Sequence, residues 1–257
     1  MHHIQFLANM YSSEHSEFIL SPLVDLLKNG LSACKGTGDG IESFPLCEYV
    51  TQSLFLKLTG AQEQKIKCIC WDLATVDYEY RYEFLNNKNY GECSIWNSKN
   101  GVYNDLISAI QKIDISFVPS QIFDSVFLIR LLDKILQIYE NSVLNVWLKR
   151  ELCFYKANYS SIISARQIAQ IKQPNSKTYP LFQSLLKDKF EEIVYKHRNR
   201  CAHNTLSYQI NKPDFNVLAK DNYEYNSYFF RYTIIILIDS ILMSLFNKYL
   251  SILPEKV

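Results

Sequence analysis

An all-α multi-helix bundle is the fold class this sequence predicts, and three observations predict it. Apolar residues recur every three or four positions along much of the chain, the period of a helix with one face in a core. Only 7 Gly and 7 Pro occur in 257 residues, too few for the many tight turns of an all-β fold. The balance of 48% hydrophobic to 21% charged residues is that of a globular protein long enough to bury a proper core.

Ser21 and Pro22 read as an N-cap followed by proline at the first helical position. Leu23, Val24, Leu26 and Leu27 then supply an apolar face before Asn29 and Gly30 stop it. Gly36 to Gly40 is a small-residue loop, without the preceding strand or the lysine of a phosphate cradle. Residues 45–58 and 61–86 have helical spacing, with Ile66, Ile69, Leu73, Val76, Tyr80 and Phe84 three or four apart. A strand competes over residues 75–85, where Val76, Tyr78, Tyr80, Tyr82 and Phe84 alternate with charged residues. Helix is preferred because the run from Gln62 is rich in helix formers and has no turn residue to break it. The tyrosines are read as packing residues ahead of base-stacking ones.

Residues 86–101 read as a polar loop, residues 102–113 as a helix, and Pro119-Ser120 as a restart. From Gln121 no Gly or Pro occurs until Pro174, which fits one long helix or two joined near residues 159–161. Gln173-Pro174-Asn175-Ser176 is a connector, and Pro180 opens the next helix. Residues 228–250 are the most apolar, interrupted by Arg231 and Asp239. The uninterrupted apolar run is far shorter than the ~20 residues of a membrane span, so a buried core or dimer-interface helix is expected and no membrane partner.

A net charge of +1 excludes a strongly polycationic nucleic-acid coat; any RNA contact must be local and transient. The 7 cysteines are odd in number, and the start Met1-His2-His3-Ile4 leads no long apolar segment, so a reducing cytoplasm is the expected home. His2 and His3 are assigned no role. Cys68 and Cys70 point to different sides of a helix, and no second ligand pair follows at zinc spacing. Neither a metal nor another cofactor is expected.

The stretch that carries chemistry is Lys196-His197-Arg198-Asn199-Arg200-Cys201-Ala202-His203-Asn204. It gathers an arginine, a polar amide and a histidine beside an expected helix end, and those three side-chain types can cut RNA without a metal. The 2′-hydroxyl must lose a proton, the leaving 5′-oxygen must gain one, and the phosphorane gathers negative charge between them. His203 can act as base or acid, since an imidazole titrates near pH 6.5. Arg198 can hold two phosphate oxygens with its planar fork. Asn199 lies four residues before His203 and can orient it or donate to phosphate. Lys196, His197, Arg200 and Asn204 are the flanking candidates for RNA contact. Basic side chains near a helix C-terminus are favoured by the macrodipole anyway, by roughly 0.3–1 kcal/mol each. His197 reads as a rim residue, and Cys201 as a small packing residue with no His-Asn pair to activate it.

Arg198-Asn199-x-x-Ala202-His203, near the end of one helix and followed by a loop and a strongly apolar final helix, resembles the HEPN superfamily of bacterial plasmid, toxin and anti-phage loci. The resemblance covers about residues 120–250. It implies a HEPN-like core over residues 115–257 and an accessory helical region over residues 1–114 packed on it. It also implies a metal-independent endoribonuclease acting as a toxin or anti-phage effector, with Arg198, Asn199 and His203 at the family's motif positions. A homodimer with a composite site and a cognate antitoxin or regulator are the implied partners. Some members carry a modified Tyr two residues after the His; Thr205 stands there in this chain.

In a regular helix, five residues separate Arg198 and His203 by about 140° around the axis. Either the last turn is distorted, or the Arg of one subunit works with the His of a twofold partner. Two further function classes compete: a non-catalytic helical module binding nucleotide, RNA or a partner protein, and a structural dimer without a ligand.

Overall fold

The computed structural model describes residues 15–38, 40–168, 178–203 and 223–253. The chain is all-α, and no strand occurs among the described residues. Ser16–Leu20 (α1) and Leu23–Ser32 (α2) lead through a 3-10 turn at Ile41–Ser43 to Phe44–Val76 (α3), a helix of 33 residues. Tyr78–Asn86 (α4) and Trp96–Gln111 (α5) follow. Ser125–Glu140 (α6), Leu144–Trp147 (α7), Lys149–Ile162 (α8) and Ala165–Ile168 (α9) form the middle. Ser184–Lys189 (α10), a π-helical stretch Phe190–Tyr195 and Lys196–His203 (α11) run on as one rod, and Tyr228–Ile252 (α12) closes the described chain.

Helix α12 is the axis of the molecule. Phe229, Phe230, Ile234, Ile235, Ile236, Leu237, Ile238 and Ile241 are all 0% exposed, which is the pattern of a helix apolar on every side. It packs against α3 and α5 as well as α6, α8 and the π-helical stretch, and one hydrophobic cluster runs from Ile19 to Tyr249. Helices α3 and α5, from the part expected to be an accessory layer, therefore flank the central helix and share its core. Among the described residues α12 is the one helix long and apolar enough to cross a membrane, yet 89% of its apolar window is buried inside the protein.

Two of its three charged residues, Asp239 and Arg231, each have a tertiary reason. Asp239 Oδ1 lies 2.8 Å from Lys65 Nζ on α3, its Oδ2 accepts from Leu23 N at 2.9 Å, and both side chains of the ion pair are 4% exposed. Lys65 Nζ also donates to the Ser21 carbonyl. Arg231 Nε donates to the Ile193 carbonyl at 2.9 Å, within the π-helical stretch. Widened π turns disturb the backbone ladder, and a buried carbonyl there requires a donor.

Several expected boundaries move. Helix α2 continues through Asn29 and Gly30 to Ser32. Residues 44–76 form one helix through Gly60, because burying Phe55, Leu58, Ile66 and Ile69 on both sides outweighs the ~1 kcal/mol cost of a mid-helix glycine. The break comes at Asp77, whose carboxylate accepts from Tyr80 N at 3.0 Å and caps α4. In α4 the helix wins over the strand: Tyr80 and Phe84 pack on the core while Tyr78 and Tyr82 stay exposed, a spacing of four. Helix α5 starts at Trp96, inside the expected loop, and runs through Gly101, where an added Cβ would come within 2.7 Å of the Tyr90 ring. The long run from Gln121 breaks at Asn141 and Leu148, well before residues 159–161. Ser142 Oγ and Asn141 Nδ2 bond the terminal carbonyls of Tyr139 and Gln137, which offers the chain an alternative to another helical turn. The rod carrying the motif opens at Ser184, four residues past Pro180. The connector around Pro174 lies outside the described residues.

Candidate active site

The motif helix is held by its apolar face. Leu186, Phe190, Ile193 and Val194 are buried, and Arg231 clamps the Ile193 carbonyl, so the position of α11 is fixed by the rod preceding it. Residues 196–203 are regular α-helix, which removes the option of a distorted last turn as the way to bring Arg198 and His203 together. The backbone of His203 ends α11; its side chain, and Asn204 with the loop to Pro213, lie outside what is described.

Arg198 is 21% exposed at its side chain, and its Nη2 donates to Glu63 Oε2 at 3.0 Å, a carboxylate that is 11% exposed and belongs to α3. Its Nη1 lies 3.5 Å from Asn199 Oδ1, at the long limit of a hydrogen bond. Arg198 and Asn199 thus sit side by side at a half-buried position. Beneath them Lys99 is 3% exposed and donates to Gln62 Oε1 at 2.8 Å, while Gln62 Nε2 donates to the Ile235 carbonyl at 2.7 Å. Burial pushes the Lys99 ammonium down to about 8; Glu63 opposes that and Arg198 adds to it. Glu63 therefore lies between two cations. None of Gln62, Glu63 and Lys99 carried a local signal in the sequence, because Glu63 and Arg198 are 135 residues apart in the chain.

His197 is only partly exposed. Its ring packs 4.9 Å from the Phe55 ring and 5.4 Å from the Tyr228 ring. Nε2 is 3.1 Å from Tyr228 Oη and Nδ1 is 3.3 Å from Arg200 Nη2, so an Nε2–H tautomer donating to Tyr228 and accepting from Arg200 satisfies both nitrogens. Burial first, then Arg231 and Arg200, drive its pKa from 6.5 down to about 2. A group so lowered stays neutral across the physiological range and cannot shuttle protons there. The ring thus has a packing role, and Arg200 shares it: one guanidinium nitrogen bonds His197, and its buried Nε has no partner among the described residues. Cys201 is 5% exposed and 3.5 Å from His197 Nε2, and burial raises its thiol pKa, in keeping with a packing residue. Lys196 is exposed.

The partly buried imidazole has a pH consequence. Between pH 6.5, where the unfolded chain protonates this histidine, and about 2, where the folded one does, the unfolded state binds more protons. Stability is therefore expected to fall as pH drops below about 6.5, by up to ~1.4 kcal/mol per pH unit from this group. Urea midpoints should show the decline, and His197→Gln should make the slope between about pH 5 and pH 6.5 shallower by that amount; an unchanged slope rules out a buried neutral ring.

Comparison with family models, with curated proteins and with solved structures found no match for this chain. Among the described residues no group of three or more His, Cys, Asp or Glu is placed to hold a metal ion.

Proposed function

We propose that the protein is a metal-independent RNA endonuclease that cleaves by attack of the 2′-hydroxyl on the neighbouring phosphate, acting as a toxin or anti-phage effector. The observation that carries the proposal is the half-buried, partly open pairing of Arg198 with Asn199 on the helix that ends in His203. A guanidinium there can exchange part of its contact with Glu63 for two phosphate oxygens, a bidentate arrangement that strengthens as charge builds on the phosphorane. His203 supplies the imidazole that takes the 2′-proton or returns one to the 5′-oxygen. Because the helix is regular, Arg198 and His203 of one chain diverge by about 140°. A twofold-related copy then brings the Arg of one subunit to the His of the other.

The test is chemical. Purified protein in EDTA is expected to cut single-stranded RNA, leave 2′,3′-cyclic phosphate and 5′-hydroxyl ends, and spare the same sequence as DNA, which lacks the nucleophile. Intact RNA after incubation with a folded dimer refutes the proposal.

A second reading, a non-catalytic helical module that binds nucleotide, RNA or a partner protein, is favoured by one observation: Glu63 already neutralises Arg198. Under it, any growth inhibition on expression is insensitive to Arg198→Ala and His203→Ala. Under the nuclease reading both substitutions relieve it.

A further inference from the structure

The face of α3 that meets Arg198 does not end there. Glu63, Lys67 and Trp71 lie at i, i+4 and i+8 on one side of that helix, so Trp71 stands roughly 12 Å along the axis from the carboxylate that holds Arg198. Lys67 pairs with Glu92 at 2.5 Å and lines the next surface feature, about one helical turn along α3 from Glu63. That feature is a cleft of about 830 Å³ between α3 and α4 and the turn that follows, lined by Lys67, Trp71, Arg81, Leu85, Lys88 and Tyr90 among others.

Two properties of the cleft lack an account in the packing of the chain. Trp71 is 67% exposed and Leu85 74% exposed, large apolar groups left in water where a lone fold gains by covering them. Three cations line the wall and no carboxylate does. Lys88 is balanced from behind by Asp105 at 2.5 Å, and Lys67 by the exposed Glu92. Arg81 bonds only the carbonyls of Ala74 and Thr75, so its charge remains. Aromatic surface interleaved with positive charge is the pattern that takes single-stranded nucleic acid, where a base stacks and the adjoining phosphates meet cations.

We propose that this cleft receives an unpaired base of the RNA whose scissile phosphate lies at Arg198, with Trp71 as the stacking platform and Lys67 and Arg81 facing the backbone. The proposal rests on the nuclease reading for the position of that phosphate. It assigns the substrate class as single-stranded RNA, since a base inside a duplex cannot reach the Trp71 ring, and it gives the N-terminal helices a role in choosing where the strand is cut.

The test uses the full chain and a labelled single-stranded RNA with 2′-O-methyl groups throughout, which removes the nucleophile and leaves bases and phosphates. Trp96 is 7% exposed and Trp147 half-buried, so quenching of tryptophan fluorescence reports mainly on Trp71. Wild type is expected to bind with quenching. Trp71→Ala should lose the quenching and bind roughly tenfold or more weakly, as for loss of one base–aromatic stack, whereas Trp71→Phe should keep most of the affinity. One abasic position in the oligomer should erase the difference between wild type and Trp71→Ala. Equal affinity of wild type and Trp71→Ala, or no binding by wild type, overturns the assignment. So does a fall in dimerisation with RNA affinity unchanged, which makes the face a contact between copies of the chain. If unmodified RNA is cut with the same KM by both proteins, the cleft proposal falls and the nuclease reading stands. If the methylated RNA quenches Trp71 but unmodified RNA is never cut, the nuclease reading falls and the base cleft stands.

Discussion

Arg198→Ala is expected to lower the rate of RNA cleavage by at least a hundredfold with the helical fold intact. Removing one preorganised donor to a developing oxyanion costs about 10²–10³ in rate, and a bidentate guanidinium supplies two. The fold should survive because Glu63 keeps the buried Lys99 ammonium beside it, so the carboxylate is not left without a countercharge. Arg198→Lys retains the charge but loses the planar fork, and an intermediate rate is expected. His203→Ala should be as damaging as Arg198→Ala. Single-turnover cleavage of a defined RNA, with circular dichroism as the fold control, measures all three. Mixing the two inactive alanine variants then tests whether the site is shared between subunits. Half of the dimers formed are mixed, each rebuilds one of two sites, and about a quarter of wild-type activity should return. No recovery, with subunit exchange demonstrated, places Arg198 and His203 in separate events and removes the composite site.

The largest effect on stability is expected at Asp239→Ala, a loss of about 3–5 kcal/mol. The substitution leaves the Lys65 ammonium, 4% exposed at its side chain, with the Ser21 carbonyl as its remaining partner, and it strips the acceptor from Leu23 N at the start of α2. A buried charge without its counter-ion is far costlier than the pair itself. Replacing both partners, Lys65→Met with Asp239→Leu, should recover most of the loss, since no charge then remains to be desolvated. Urea unfolding of the two single variants and the double variant forms the cycle; a near-zero coupling between the positions shows that the pair does not hold α3 to α12.

Position 239 also shows what a linear reading can and cannot supply. The aspartate and Arg231 are visible in the sequence as interruptions of an apolar segment. Their partners, Lys65 and the Ile193 carbonyl, are 174 and 38 residues away, and no local pattern names them. The same holds at the candidate site. Arg198, Asn199 and His203 stand out because their chemistry is concentrated in one helical turn and a half. Glu63 and Lys99 do not, since one is a single carboxylate on a long helix and the other lies in an asparagine-rich stretch that reads as loop. His197 reads as a rim residue because a histidine flanked by Lys196 and Arg198 reads as exposed; the rings of Phe55 and Tyr228 that cover it come from α3 and α12.

Helix class, the existence of most helices and the concentration of cationic and imidazole groups at one helix end are properties of residue type and spacing, because a period near 3.6 and a run without glycine or proline act over a few residues at a time. Which helices touch, and so which charges meet, depends on packing between segments far apart in the chain, and local propensity carries no information about that. Tertiary contact alone turned His197 inward, paired Arg198 with Glu63, sank Lys99 beneath them, and set Trp71 beside a cation-lined cleft on the same face of α3.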